Sequence, residues 1–190
     1  MDSQRRADVI VVGLGAFGSA TVYQLARRGV SVIGIDQFQP PHDRGSSHGE
    51  TRITRLAVGE GEAYVPLIRR SNEIWQALEA ETGETLVHRV GGLIVGPRDG
   101  TISHHGKSDF VRRTIETAER FGIEHEVFDA QEFAYRYPQF MPRGDELVYA
   151  EPASGVLVPE ACVQAQLDLA RAHGAAIRFN EKVLSISETA

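Results

Sequence analysis

The sequence predicts an α/β fold: an incomplete open parallel sheet, begun by a strand–helix–strand unit, joined to part of a mixed α+β region. Three observations carry this. A β-branched run, Asp8-Val-Ile-Val-Val12, stops at Gly13 and gives way to helical spacing and then a second apolar strand. Helices and short strands alternate through the rest of the chain. Composition is ordinary for a globular protein, with 42% hydrophobic and 24% charged among 190 residues, which excludes collagen-like, low-complexity and disordered classes.

The elements follow in order. Asp8–Val12 reads as a strand buried on both faces. Ala16 to Arg28 has helical spacing, with Leu25 and Ala26 inward and Gly29 as the stop. Val30 to Ile35 is the second strand, parallel to the first through a right-handed crossover. Gln37 to His48 is a loop rich in Pro, Gly and Ser. Tyr64, Leu67, Ile68, Trp75 and Leu78 mark one face of a helix that Pro66 can enter in its first turn. Leu93–Val95 is a short strand, Thr101–Lys107 a polar loop, and Val111, Ile115, Ala118 and Phe121 a helix closed by Gly122. Asp129 with Glu132 three residues later resembles a capping box, so a short helix is expected to start there and end before Pro138. Leu147–Tyr149 and Val156–Val158 are strands, Pro159 opens a helix to Ala172 with Gly174 as its stop, and Ala176–Phe179 and Val183–Ile186 close the chain as strands. Only the segment near Ala176 can rejoin the opening sheet, giving about three strands where an open doubly wound sheet usually has five or six. The chain is therefore expected to be part of a larger protein.

Charge narrows the function classes. With 20 Lys+Arg against 26 Asp+Glu, the net charge of −6 disfavours a nucleic-acid partner. One cysteine cannot form an internal disulfide and suggests a reducing compartment, and Val9–Val12 is too short for a signal peptide or membrane span. A soluble cytoplasmic protein is expected.

The chemistry-bearing motif is Gly13-Leu-Gly15-Ala-Phe-Gly18, placed between strand and helix. The first glycine permits the tight turn, the second lets backbone approach a pyrophosphate, and the third allows the helix to pack closely. N–H groups around Ala16 and Phe17 are expected to be free for phosphates. Asp36 stands 18 residues after Gly18, at the end of the second strand, where its carboxylate can accept both ribose hydroxyls; Gln37 adjoins it. Strand, glycine turn, helix, strand and acid in this order define a Rossmann-like dinucleotide unit. The motif alone leaves FAD and NAD both open. Arg52 and Arg55 share a face if the segment from Glu50 is helical, suiting an anionic flavin or a substrate carboxylate. The alternative is a solvated pair matched by Glu50 and Glu60. His104-His105 lack a third ligand, so no metal is expected; Cys162 reads as a core thiol, Trp75 as a core anchor, and Arg112-Arg113 and Glu124 to Glu126 as solvated faces.

Further residues resemble a known family. Asp8–Gly13, the glycine motif and Asp36 are extended by Pro40-Pro41-His42 and Gly45-Ser-Ser-His48-Gly-Glu-Thr-Arg52-Ile-Thr-Arg55. Gly59-Glu60, Tyr64-Val65-Pro66-Leu67, Gly92-Leu93 through Gly96-Pro97, and Ser154-Gly155-Val156-Leu157 continue the pattern. Together they resemble the monomeric sarcosine oxidase and N-methyltryptophan oxidase family of D-amino-acid-oxidase-like flavoproteins. The resemblance implies the N-terminal half of that fold, with 1–60 and 160–190 forming a partial FAD-binding domain and 61–159 part of the substrate domain. It implies FAD held by Gly13, Gly15, Ala16, Phe17, Gly18, Asp36, Gln37, Ser47, His48, Arg52 and Val183. Arg52 and His48 would act beside the flavin as catalytic groups, and Arg55 would grip the substrate carboxylate. The implied reaction oxidises a secondary amine of an N-methyl amino acid to an imine, with O₂ reduced to hydrogen peroxide. The family's oxygen-activating lysine and flavin-linking cysteine belong to the later half, supplied by the rest of the protein or a complementing chain. Leu56 and Val58 replace the His and Tyr of close relatives, which leaves the substrate open. Val22 replaces a small residue, which would push its helix outward. The other readings are an NAD-dependent dehydrogenase and a non-catalytic nucleotide-binding module or subunit completed by a second chain.

Overall fold

The computed structural model describes residues 6–101, 106 and 108–188; His104-His105 and Lys107 lie outside the described residues. In chain order the first elements are β1 (Val9–Val12), α1 (Ala16–Ala26), β2 (Val32–Ile35), β3 (Arg52–Thr54), a 3₁₀ turn (Glu62–Tyr64), α2 (Val65–Thr82) and β4 (Val87–His88). There follow β5 (Gly92–Pro97), α3 (Phe110–Phe121), β6 (Glu126–Asp129), α4 (Ala130–Arg136), β7 (Glu146–Glu151), β8 (Gly155–Leu157), α5 (Pro159–Ala172) and β9 (Ala176–Arg178). The chain forms two compact units, one of Met1–Arg52, Leu78–Leu86 and Leu157–Ala190, the other of Ile53–Ala77 and Val87–Val156.

The first unit is built on a parallel sheet of order β1-β2-β9, with Val9 opposite Val32 and Ile33 opposite Ala176. β2 is central and buried throughout, as its Val-Ile-Gly-Ile run requires. β1 departs from expectation. It lies at the sheet edge and alternates, leaving Ile10 and Val12 more than half exposed. The 183–186 segment is likewise no strand, because no ladder pairs with it among the described residues.

α1 and α5 pack on one another, with Val22, Tyr23, Ala26, Leu167 and Ala170 buried. Val22 packs against Gly34 of β2. A side chain on Gly34 of β2 would come within 3.1 Å of Val22 Cγ2, so the missing group on the strand makes room for the larger one on the helix. Gly29, Gly122 and Gly174 adopt φ of 77°, 59° and 91° just after their helices, the left-handed stop expected of each.

Cys162 is a buried free thiol, and burial, with Glu79 and Glu160 nearby, pushes its pKa up to about 12. Because the folded value is the higher one, stability is intact below the thiol's ordinary range near 9 and falls as pH rises towards about 12. Alkylation at pH 8 should therefore modify Cys162 only after denaturant is added, as mass spectrometry would read.

The second unit carries an antiparallel sheet of order β5-β7-β6, with Ile94 opposite Tyr149 and Phe128 opposite Val148. β3, β8 and β4 form a smaller sheet, and at Gly155 an added Cβ would lie 2.2 Å from the His88 carbonyl oxygen. Ala57, Val65, Val111, Ala118, Leu147 and Tyr149 fill the main core of this unit, with Phe128, Phe133 and Val148 in a satellite. Tyr64 falls in the 3₁₀ turn before α2, Leu67 is mostly exposed and Trp75 is half-buried, so the apolar stripe of α2 is narrower than its spacing predicts. Half of the capping box is present: Asp129 accepts a hydrogen bond from the Glu132 N–H at 2.9 Å, while the Glu132 carboxylate pairs with Arg136 at 2.6 Å. Asp129→Ala should cost about 1 kcal/mol in urea denaturation.

Candidate functional site

The glycine turn is held from several directions. Gly13 has φ +88°, and its N–H donates to the Ile35 carbonyl at 2.8 Å, tying the turn to the end of β2. A Cβ on Gly18 would stand 1.7 Å from the Gly13 carbonyl oxygen, so α1 approaches the turn as closely as only glycine permits. A Cβ on Gly15 would lie 3.1 Å from Ser47 Oγ, which itself accepts the Ala16 N–H at 3.0 Å. The Ala16 N–H is therefore taken, contrary to expectation. The N–H groups of Phe17 and Gly18 have no acceptor among the described residues. Free N–H groups at a helix start are suited to an anion.

Asp36 faces this turn and is buried. Its Oδ2 accepts the Leu14 N–H at 2.7 Å, and its Oδ1 accepts the Phe38 N–H at 2.9 Å and lies 3.4 Å from His42 Nε2. Of about four lone-pair positions on a carboxylate, about one stays open, fewer than the two needed to serve both ribose hydroxyls. A cavity of about 500 Å³ joins these parts, lined by Gly13, Gly15, Ala16, Phe17, Gly18, Asp36, Gln37, Ser47 and Val183, with His42 beside them.

His48 and Arg52 do not line that cavity. Arg52 donates from Nη2 to the carbonyls of Ser46 at 2.6 Å and His48 at 2.8 Å, and from Nη1 to that of Thr51 at 2.6 Å. It staples the loop. From the other side Glu160, in the first turn of α5, accepts the N–H groups of Gly49 at 2.7 Å and Glu50 at 3.3 Å. Burial would raise the Glu160 carboxyl, but hydrogen bonds from its own backbone, Gly49 and Glu50, together with His48, hold it below its usual range. Nothing in the sequence signals this contact, since an acid in a first turn is a common helix feature.

The segment from Glu50 is not helical. Arg52 opens β3, and strand alternation gives positions i and i+3 no common face. Thr51, Ile53 and Thr54 are β-branched, and that preference prevails over the charge spacing. Arg55 belongs to the second unit, where Nη2 pairs with Glu60 Oε1 at 2.6 Å and the guanidinium lies 5.9 Å from the Phe110 ring centroid. The Glu60 match weighed from sequence is present. Next to Arg55, the N–H groups of Leu56 and Ala57 donate to Glu151 at 2.6 and 3.0 Å, and the same buried carboxylate accepts Tyr149 OH at 2.7 Å and Ser154 OH at 2.9 Å. Burial first, then Glu151, drives the Tyr149 phenol pKa upward. Sequence reasoning missed Glu151 because its two backbone donors, Leu56 and Ala57, lie about 95 residues away.

Residues 8–190 match the family model of the DAO FAD dependent oxidoreductases. The chain belongs to this family. Among relatives of this flavoprotein family, the monomeric sarcosine oxidase of Bacillus sp. (strain NS-129) is 44% identical over 171 residues, 90% of this chain and 42% of the relative. The N-methyl-L-tryptophan oxidase of Yersinia pestis (strain Pestoides F) is 36% identical over 179 residues, 94% of this chain and 46% of that enzyme. The solved open form of NikD, an unusual amino acid oxidase essential for nikkomycin biosynthesis, superposes with a TM-score of 0.77 at 27% identity, covering 92% of this chain and 43% of that one. The chain thus spans less than half the length of the curated relatives it matches. FAD is the cofactor of the family, and the site fits its adenosine-diphosphate half: open N–H groups for the diphosphate, a buried acceptor for ribose, and a glycine cradle that a Cβ would fill. Among the described residues no helix is long and apolar enough to cross a membrane, and no three His, Cys, Asp or Glu side chains are placed to hold a metal ion.

Proposed function

We propose that this chain supplies the dinucleotide site and part of the substrate side of an enzyme that oxidises the secondary amine of an N-methyl amino acid. The observation that carries the reading is the Asp36 carboxylate facing the glycine turn across one cavity with acceptor-free N–H groups. The sarcosine oxidase and N-methyltryptophan oxidase relatives support the substrate class. Bound FAD would supply the two-electron acceptor. The amine loses a hydride equivalent from carbon and a proton from nitrogen, giving an imine that water hydrolyses. The two electrons and two protons pass to O₂ as hydrogen peroxide.

The chain's residues divide this work. Phe17 and Gly18 N–H groups bind the diphosphate, aided by about 0.3–1 kcal/mol from the α1 dipole. Ser47 Oγ accepts from Ala16, leaving its hydrogen to donate to a phosphate oxygen. Gln37 and Val183 close the adenosine end of the cavity. Arg52 fixes the 46–51 loop and so places His48, while its charge favours an electron-rich neighbour. Arg55 binds the substrate carboxylate by exchanging it for Glu60. The rest of the active site comes from residues outside this chain, so these 190 residues alone should not turn over. The single buried thiol agrees with a cytoplasmic setting.

The test is flavin absorbance and peroxide release with sarcosine, in the protein carrying this chain at full native length. Stoichiometric yellow flavin with peroxide formation is expected; no flavin after reconstitution, or flavin with no N-methyl amino acid turned over, would refute the reading. Arg55→Ala should raise KM for sarcosine about tenfold to a hundredfold, with a smaller change in kcat.

A further inference from the structure

His42 lines the nucleotide cavity yet has no role in the reading so far. Its ring is fixed on three sides. Nδ1 accepts the Arg44 N–H at 3.1 Å, the ring meets Phe38 edge-on with centroids 5.3 Å apart, and Nε2 stands 3.4 Å from Asp36 Oδ1. A nitrogen that accepts a backbone N–H carries a lone pair, so in the neutral ring the hydrogen resides on Nε2. That hydrogen points at Asp36. The Arg44 N–H therefore selects the tautomer in which His42 donates to the carboxylate. The same oxygen, Oδ1, accepts the Phe38 N–H, and the other carboxylate oxygen, Oδ2, accepts the Leu14 N–H.

We propose that His42 is a positioning residue for Asp36, and through it sets how strongly the site distinguishes a nucleotide with ribose hydroxyls from one without them. Two donors on Oδ1 and one on Oδ2 leave the open lone pair on the Oδ2 side, the side of the glycine turn. Without the Nε2 donor the carboxylate is held by two backbone N–H groups instead of three donors, its open lone pair is less tightly directed, and water can serve Oδ1. The diphosphate seat, built from backbone N–H groups of α1, does not depend on His42. The inference rests on the dinucleotide reading above.

Two substitutions separate the two bonds that His42 makes. An asparagine oxygen takes the place of Nδ1 and keeps the Arg44 turn, but cannot reach Asp36. A glutamine amide takes the place of Nε2 and keeps the donor to Asp36. The flavin-free chain would be titrated calorimetrically with ADP, with 2′,3′-dideoxy-ADP and with inorganic pyrophosphate, alongside thermal melts. The wild type should prefer ADP over the dideoxy compound by at least about tenfold, the scale of a hydrogen bond to a charged group. His42→Asn should reduce that preference to twofold or less, with pyrophosphate affinity unchanged; His42→Gln should retain most of it. If His42→Asn keeps the full preference, or if Asn retains it where Gln loses it, His42 serves only the turn and the proposal fails. A parallel loss of pyrophosphate binding would also overturn it, since His42 would then support the whole site. A wild type that binds neither nucleotide, or binds both equally, contradicts the dinucleotide reading itself, and the proposal falls with it.

Discussion

Replacing Gly18 by alanine should lower affinity for FAD by a hundredfold or more. The Cβ would lie 1.7 Å from the Gly13 carbonyl oxygen, a backbone atom that cannot turn aside as a side chain could. Either α1 withdraws from the turn or the turn opens. In both cases the N–H groups of Phe17 and Gly18 leave the position at which they face a diphosphate, and the Leu14 N–H bond to Asp36 is strained. Overpacking of this kind costs about 1–3 kcal/mol of stability, so the variant should remain folded while its site is lost. Quenching of flavin fluorescence on titration reads the affinity, and circular dichroism reads the fold. Gly15→Ala should be milder, because its Cβ would meet only the Ser47 side chain at 3.1 Å.

Replacing Glu151 by alanine should destabilise the second unit by about 3–5 kcal/mol. The carboxylate is 1% exposed and accepts two backbone N–H groups and two hydroxyls. Tyr149 and Ser154 can redirect their hydrogens, but the N–H groups of Leu56 and Ala57 cannot, and a buried donor without an acceptor costs about 1–3 kcal/mol. A cavity term adds to this. Glu151→Gln should cost less, since one oxygen remains. Trp75, the one tryptophan, lies in the second unit, so its fluorescence in urea follows that unit directly. Since Leu56 and Ala57 adjoin Arg55, the loss should also loosen the Arg55–Glu60 pair.

Much of the first unit could be read along the chain because its signals are local. The tight turn at Gly13 and the glycines that stop α1 and α5 each act on a few neighbouring residues. So do the proline that opens α5 and the Asp129 cap. Asp36 is placed by the end of its own strand. What escaped depends on distant partners. β4 has two residues and no periodicity to detect, and β6 is set by pairing with β7. Val183–Ile186 alternates as a strand should, yet no neighbour offers it a ladder among the described residues. At Arg52 and Arg55 the spacing of charges matches a helical face, but charges do not drive burial and the β-branched residues between them do. The backbone donors to Glu151 and the loop contact of Glu160 join residues that only the fold brings together.

On the function proposed above, the turn after β1 and the acid after β2 hold an adenosine diphosphate between them. The most direct measurement is an amide-resonance titration of the 20.9 kDa chain with ADP. Saturable shifts concentrated at Leu14, Phe17, Gly18 and Phe38, absent from Asp36→Ala at the same concentrations, are the predicted result. Binding that leaves those amides unmoved, or that persists undiminished without the Asp36 carboxylate, would contradict it.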